Sequence, residues 1–370
     1  MSTHQFEIII LASLTAVTCA LPGVFLVLRR VALMSDAISH AILLGIVVAF
    51  FITKNLASPF LILGAAVMGI VTVALTELII QTRKLKEDAA IGLVFPFLFS
   101  VGVILLNRFA TDIHLDAECI LFGEIAFTPF NRLYINEIDL GPQAIWVTGT
   151  ILVLNIIFIL CFYKELKIAT FDPGLAATLG FIPVILNYAL MTMVSITAVG
   201  SFESVGSILV VALMIAPPAA AYLLTDRLSW MIVISGVLGI MSAIGGYLMA
   251  YWLDASIAGS MATFSGIIFF LVFIFSPERG LLAKFIVKKW TKWNFASDTL
   301  AVHLLQSELT HAEETEQIVS HMNEHMLWDN QYTSEVIAQS IQDGLIKKQG
   351  DKLSLTPLGR EKAKNSLSKQ

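Results

Sequence analysis

An aspartate and a histidine, Asp36 and His40, stand four residues apart within an apolar stretch that covers residues 31–51. A spacing of four places both side chains on one face of a helix, and roughly 20 apolar residues are enough to cross a bilayer. An ionisable side chain at membrane depth is costly, so it normally faces a protein interior or a water-filled path. Carboxylates and imidazoles are also common ligands of divalent metal ions. The pair therefore indicates a metal pathway through a membrane protein.

A purely structural role for the pair is an open alternative. Asp36 could cap the helix or pair with Arg29 or Arg30, and His40 could hydrogen-bond a neighbouring helix. If the helix starts near Val31, His40 lies about 13 Å further along it, at 1.5 Å per residue, which is close to the middle of a bilayer. One Asp-x-x-x-His pattern is short, so the rest of the chain has to distinguish the two roles.

The composition is that of an integral membrane protein. Of the 370 residues, 57% are hydrophobic and 14% are charged, and the mean hydropathy is +0.81, whereas soluble domains carry about 25% charged residues. The three cysteines have no CxxC spacing, so they indicate neither a disulfide framework nor a thiolate metal site. The apolar runs predict nine membrane-spanning helices, or eight if one is short or re-entrant. They lie near 6–28, 32–52, 59–82, 89–106, 142–163, 181–199, 205–224, 229–252 and 259–276.

Basic residues follow every second apolar run, which predicts the orientation of the chain. By the positive-inside rule their side is cytoplasmic, so the N-terminus lies outside and the C-terminus inside. Glu77 lies near the cytoplasmic end of the third run, where it could reach Arg83 or Lys84. The basic residues are Arg29, Arg30, Arg83, Lys84, Lys86, Lys164, Lys167, Arg227, Arg279, Lys284, Lys288 and Lys289.

The longest loop on the opposite side, 107–141, is rich in acidic residues. His114, Asp116 and Glu118 could form an outer vestibule that concentrates cations by focusing the electric field. An ordinary solvated loop that docks a partner is the alternative interpretation.

The composition becomes polar after Trp293. Helical patterns near 297–310, 313–326 and 333–343 are followed by a strand, a tight turn and a strand over 345–356, and then by a short helix. This order resembles a winged-helix module. The chain is therefore predicted to contain a transmembrane permease domain (1–285), a linker (286–296) and a small α+β domain (297–370).

Five sequence blocks resemble the membrane subunit of the ABC importers for manganese, zinc and iron. The most diagnostic is RRVALMSDAISHAILLG at 29–45, and HLDAECILFGEIAFTPFNRL at 114–133 resembles the manganese and iron branch. The others are KEDAAIGLVF at 86–95, SVGSILVVALMIAPPAAAYLLTDR at 204–227 and SPERGLL at 276–282. The resemblance implies an all-α polytopic permease in the inner (plasma) membrane of a bacterium, with the polar tail in the cytoplasm.

The same resemblance implies roles for two groups of residues. The aspartate and histidine of the first block, here Asp36 and His40, would bind the ion in transit. Two ligands make a weak site, which suits transport because the ion must leave again. A D-P-x-x-A-x-x-x-G pattern resembles the cytoplasmic coupling helix that fits a groove on the ATPase, although a plain turn between spans is the alternative. Its residues here are Asp172, Pro173, Gly174, Ala177 and Gly180.

The chain contains no G-x-x-x-x-G-K-[ST] phosphate-binding loop, so the subunit itself is not predicted to be an enzyme. The resemblance implies a separate ABC ATPase, an extracytoplasmic metal-binding protein and a second permease subunit, identical or paralogous, in a lipid bilayer. No permanently bound cofactor is expected; the divalent metal is cargo, with manganese favoured over zinc and iron.

Two other classes of function are weaker readings of the same residues. A proton-driven secondary metal transporter would need more intramembrane acids than this chain carries. A membrane-anchored regulator with a DNA-binding tail would need a basic tail, but residues 295–370 hold 7 Lys and Arg against 11 Asp and Glu, a net charge of −4. The predicted recognition helix, 333–345, contains no Lys or Arg, so nucleic acid is not an expected partner.

Overall fold

The structure is a computed structural model that describes residues 3–54, 60–109, 125–135, 138–310, 326, 328–350 and 352–367. Within these residues the chain divides into two compact units, Met1–Gly280 and Leu281–Gln370. The first unit is nearly all helical, and the second contains helices and a small β-hairpin.

Long apolar helices build the first unit. Across the described ranges, nine of its helices are long and apolar enough to cross a membrane, in agreement with the eight or nine that the sequence predicts. Two short helices, α6 and α7, interrupt the series. In chain order the helices are α1 (Thr3–Leu28), α2 (Leu33–Thr53), α3 (Phe60–Gln81), α4 (Glu87–Phe109), α5 (Gln143–Cys161), α6 (Tyr163–Phe171), α7 (Pro173–Thr178), α8 (Pro183–Val205), α9 (Ser207–Leu224), α10 (Leu228–Leu253) and α11 (Ile257–Phe275).

Helix α1 is central to the bundle, where it packs against α5, α9 and α10, and α2 packs against α3 and α4. Lipid supplies no hydrophobic force between membrane helices, so their association depends on close van der Waals packing, which small residues allow. Gly45 of α2 faces Gly64 of α3 so closely that a Cβ on Gly64 would lie 2.7 Å from the Gly45 carbonyl oxygen. Pro217 and Pro218, inside α9, are also buried.

A buried amide joins three of the helices. Asn155 of α5 is 1% exposed, and its Nδ2 atom donates hydrogen bonds to Thr197 Oγ1 of α8 at 2.8 Å and to the Thr18 carbonyl oxygen of α1 at 3.3 Å. A buried polar group is costly unless it is hydrogen-bonded, so this amide favours one register of the three helices.

A 3-10 helix and a hairpin precede α5. The 3-10 helix covers Ile125–Phe130, and strands β1 (Arg132–Ile135) and β2 (Ile138–Pro142) pair antiparallel. Of the acidic outer loop predicted from the sequence, residues 110–124 and 136–137 lie outside the described residues.

The second unit contains α12 (Leu281–Thr310), α13 (Asn330–Gln342), β3 (Ile346–Gln349), β4 (Lys352–Leu355) and α14 (Pro357–Leu367). Strands β3 and β4 form the predicted hairpin, with Gly350 at φ +67° in the turn. A small core of Leu300, Leu304, Val336 and Leu353 is buried between these elements. The predicted linker, 286–296, falls inside α12, and the predicted helix at 313–326 lies almost wholly outside the described residues.

Candidate metal site and coupling segment

Asp36 and His40 lie side by side near the start of α2. The Oδ1 atom of Asp36 is 3.5 Å from the Nε2 atom of His40, and the side chains are 40% and 33% exposed. The N-cap of α2 is Ala32, and no side chain caps the helix there. The Arg29 guanidinium donates its hydrogen bonds to Thr170 and Asn187. The two side chains are therefore close enough to bind one ion together.

The His40 ring is held by two aromatic side chains of α4. Its centroid is 5.6 Å from that of Phe95, in a stacked arrangement, and 5.8 Å from that of Phe99, in an edge-on arrangement. Such aromatic pairs contribute about 0.5–1.5 kcal/mol each. The imidazole is thus oriented by packing on one side, and its Nε2 atom faces Asp36.

The pair lies nearer one end of its helix than the sequence predicts. Because α2 begins at Leu33 and not near Val31, His40 lies about 10 Å along a helix of about 31 Å, at 1.5 Å per residue. The cause is the tight connection from α1. Arg30 has a left-handed backbone (φ 63°), and the Val31 amide donates to the Leu26 carbonyl oxygen at 3.0 Å, so the chain turns before the second helix can start.

The pair is not part of a larger cluster of metal-binding side chains in the described residues. Among the described residues, no group of three or more His, Cys, Asp and Glu side chains could hold a metal ion. The predicted vestibule residues, His114, Asp116 and Glu118, lie outside the described part of the chain. Within the described part of the chain, Asp36 and His40 therefore stand as a pair of side-chain donors and not as part of a larger cluster.

The predicted coupling residues form a capped turn between α6 and α8. Asp172 is the N-cap of α7: its Oδ1 atom accepts a hydrogen bond from the Leu175 amide at 2.9 Å, and Pro173 occupies the first helical position. Both features are typical helix-start signals. At the other end Gly180 has φ +88°, a conformation that favours glycine.

The surface of this turn is apolar. Phe171, Leu175 and Leu179 are 59%, 49% and 56% exposed, while Ala176 is buried against the rest of the unit. Phe171 ends α6, Leu175 lies in α7 and Leu179 follows α7, so the break at Asp172, and not the periodicity of one helix, brings this row to the surface, and the sequence alone did not predict it. We call residues 163–180 the coupling segment.

A polar network that the sequence analysis missed lies beside the coupling segment. The Arg29 guanidinium donates from Nε to Thr170 Oγ1 at 3.1 Å and from Nη1 to Asn187 Oδ1 at 2.9 Å. Asn187 Nδ2 in turn donates to Glu77 Oε1 at 2.6 Å, where the sequence suggested a pairing of Glu77 with Arg83 or Lys84. Burial lowers the pKa of Arg29, but an arginine remains charged at neutral pH.

A second charged cluster fastens the β1–β2 hairpin to α1. The Arg132 guanidinium contacts Asp139 Oδ2 at 2.7 Å and Glu7 Oε1 at 3.2 Å. The hydrogen bond from Arg132, with one from the Gly141 amide, lowers the pKa of Asp139. The His4 ring lies 5.7 Å from that of Phe130 on the 3-10 helix. These contacts tie the segment between α4 and α5 to the first residues of the bundle.

Comparisons with known proteins agree on one family. The sequence model described as "ABC-3: ABC 3 transport family" matches residues 3–276. The zinc transport system membrane protein TroD of Treponema pallidum (strain Nichols) is 43% identical over 353 residues, which cover 95% of this chain and 96% of that protein. The manganese transport system membrane protein MntD of Bacillus subtilis (strain 168) is 47% identical over 282 residues, covering 76% and 95%.

A solved structure has the same fold. PsaBC from Streptococcus pneumoniae in complex with Fab aligns with a TM-score of 0.61 at 27% identity, and the alignment covers 75% of this chain and 94% of that chain. The TroD match extends through most of the second unit, because it leaves only about a twentieth of this chain unmatched. The MntD match covers nearly all of that protein but only three quarters of this chain.

Proposed function

Because the chain belongs to the ABC 3 transport family, whose relatives above are metal transport membrane proteins, we propose that it forms the membrane pathway of an ABC importer for a divalent metal ion. The observation that carries the proposal is the Asp36–His40 pair on α2, two convergent donors on a membrane-spanning helix. Carboxylate and imidazole suit Mn²⁺, Zn²⁺ and Fe²⁺. The pair acts as a transient ligand set for the ion.

Manganese is the proposed main substrate, with zinc and iron next. Oxygen and nitrogen donors do not separate the three ions, and the two relatives above are named for zinc and for manganese. The choice rests on the block at 114–133, which resembles the manganese and iron branch. Competition between the ions at equal free concentration tests it, and zinc uptake above manganese uptake would overturn it.

The energy source is proposed to be a separate ABC ATPase that docks on the coupling segment. The capped turn at Asp172 and the exposed apolar row of Phe171, Leu175 and Leu179 support a docking surface there. The proposed complex also includes a second permease subunit and an extracytoplasmic metal-binding protein. With the N-terminus outside, the coupling segment and the second unit face the cytoplasm.

The second unit is proposed to be a winged-helix-like domain that regulates or docks the ATPase. The β3–β4 hairpin after α13 and the following α14 support that shape. DNA is a poor ligand for it, because the α13 sequence contains no Lys or Arg and phosphate binding needs several cations. Salt-dependent, sequence-specific DNA binding by the full chain would refute this assignment.

Uptake into proteoliposomes tests the function. The chain, co-purified with its ATPase, is reconstituted and supplied with labelled Mn²⁺ and the binding protein. We expect accumulation that requires ATP and stops when the catalytic residues of the ATPase are disabled. Accumulation driven by a pH gradient without ATPase would identify a secondary transporter instead.

A further inference from the structure

The polar network at Arg29 joins the coupling segment to three membrane helices. Arg29 follows the last residue of α1, Thr170 lies in α6, Asn187 in the first turns of α8, and Glu77 near the end of α3. Thr170 stands two residues before the capping Asp172. The Arg29 side chain therefore bonds directly to α6 and α8, and it is linked to α3 through Asn187.

Arg29 is also close along the chain to the candidate metal ligands. Only residues 29–32 separate α1 from α2, and Asp36 follows Arg29 by seven residues. Backbone hydrogen bonds close this connection: the Arg30 amide donates to the Val27 carbonyl oxygen at 3.1 Å and the Val31 amide to that of Leu26 at 3.0 Å. Because this connection is short and hydrogen-bonded, a displacement of Arg29 should also displace the start of α2.

The network is incompletely satisfied in this conformation. The Nη2 atom of Arg29 is buried and has no hydrogen-bond partner among the described residues. Asn187 stands between the guanidinium and the Glu77 carboxylate, because it accepts from the first and donates to the second. A buried donor without an acceptor is costly, so Nη2 remains available to an acceptor other than the described residues.

We propose that Arg29 is a positioning residue that transmits movement of the coupling segment to the start of α2, where Asp36 and His40 lie. The planar guanidinium suits this role because it holds two acceptors at fixed angles, which a lysine ammonium does not. Movement of Thr170 with the ATPase pulls on Nε, and the short connection carries that pull to Asp36. This inference rests on the proposed function, which supplies the ATPase.

The test separates coupling from folding by measuring metal transported per ATP hydrolysed in the reconstituted complex. Arg29→Lys keeps the charge and removes the fork, and Thr170→Val removes only the acceptor on the coupling segment. Their matched controls are Arg30→Lys, an exposed neighbouring arginine, and Thr150→Val, whose hydroxyl donates to the Trp146 carbonyl oxygen of its own helix, α5, outside the coupling segment.

We expect ATP hydrolysis within twofold of wild type in all four variants. The metal-to-ATP ratio should fall at least fivefold in Arg29→Lys and Thr170→Val and stay unchanged in the two controls. Because both substitutions cut the same link, the double variant should lose little more than either single variant.

Several results would overturn the inference. An unchanged ratio in Thr170→Val would do so, as would a parallel loss of uptake, hydrolysis and thermal stability in both test variants, which is the mark of a structural role. Wild-type complex that shows no ATP-dependent uptake in the same vesicles would instead reject the proposed function, and this inference with it.

Discussion

Replacing Asp36 by asparagine should abolish transport at low ion concentration and leave the fold intact. The Asp36–His40 contact is 3.5 Å long, joins partly exposed side chains and lies within one helix. Pairs of this kind contribute about 0.3–0.5 kcal/mol to stability, so unfolding should change by less than about 1 kcal/mol. Asparagine retains the volume but removes the charge that attracts the ion.

The loss of metal binding should be several times larger than the loss of stability. Substitution of residues that merely support a metal ligand costs about 10–100-fold in metal affinity. Removing one of the two donors in this pair should therefore cost at least about 100-fold, which corresponds to about 2.7 kcal/mol. His40→Ala is a less clean perturbation, because it also deletes the ring contacts with Phe95 and Phe99.

The assay is labelled-manganese uptake by the reconstituted complex over a range of free ion, together with thermal unfolding of the purified complex. Asp254→Asn is the matched control, since Asp254 lies between α10 and α11 in a left-handed conformation that asparagine also adopts readily. Normal Asp36→Asn uptake below half-saturation would refute the ligand role. If the free energy of unfolding of Asp36→Asn were several kcal/mol lower than that of wild type, the structural role of Asp36 would be favoured instead.

Four further outcomes are expected. Asp172→Ala should weaken α7 by about 1 kcal/mol and lower ATPase co-purification, whereas Asp172→Asn should retain both. A cysteine at Gly174 should react with a membrane-impermeant reagent only from the cytoplasmic side; labelling only from outside would invert the topology. The pKa of Asp139 is lowered by Arg132, so their pairing stabilises the hairpin at any pH above the ordinary aspartate pKa of about 4 and is lost as the pH falls through the lowered pKa. Amide hydrogen exchange of residues 132–142 should lose protection in that acidic range. The Arg132→Gln variant should show no such pH-dependent loss. A chain stopped after Gly280 should insert and unfold cooperatively like the full chain; failure to insert would show that the units are interdependent.

Local patterns predicted much of this structure. The family resemblance is confirmed by the match over 3–276, and the apolar runs anticipate the membrane helices because length and hydropathy are local properties. The shared face of Asp36 and His40 follows from helix periodicity, and the capped turn at Asp172 and Pro173 follows from two adjacent residues whose chemistry starts helices.

Long-range contacts were not predictable in the same way. The side chains of Arg29 and Asn187 are 158 residues apart, and those of Asn187 and Glu77 are 110 apart, so no window of sequence contains both partners. The nearest opposite charges to Glu77 in sequence were Arg83 and Lys84, which is why proximity suggested the wrong partner. The late start of α2 likewise depends on backbone hydrogen bonds to the end of α1.

The two-donor set of Asp36 and His40, which belongs to no larger cluster in the described residues, has a kinetic consequence. If these two residues carry the ion, they retain it by few bonds, so its residence time is short compared with that in a fully coordinated site. Discrimination between similar metals then cannot depend on equilibrium occupancy at this point. It depends on which ion is delivered from outside, and on whether the pathway closes behind that ion before it escapes.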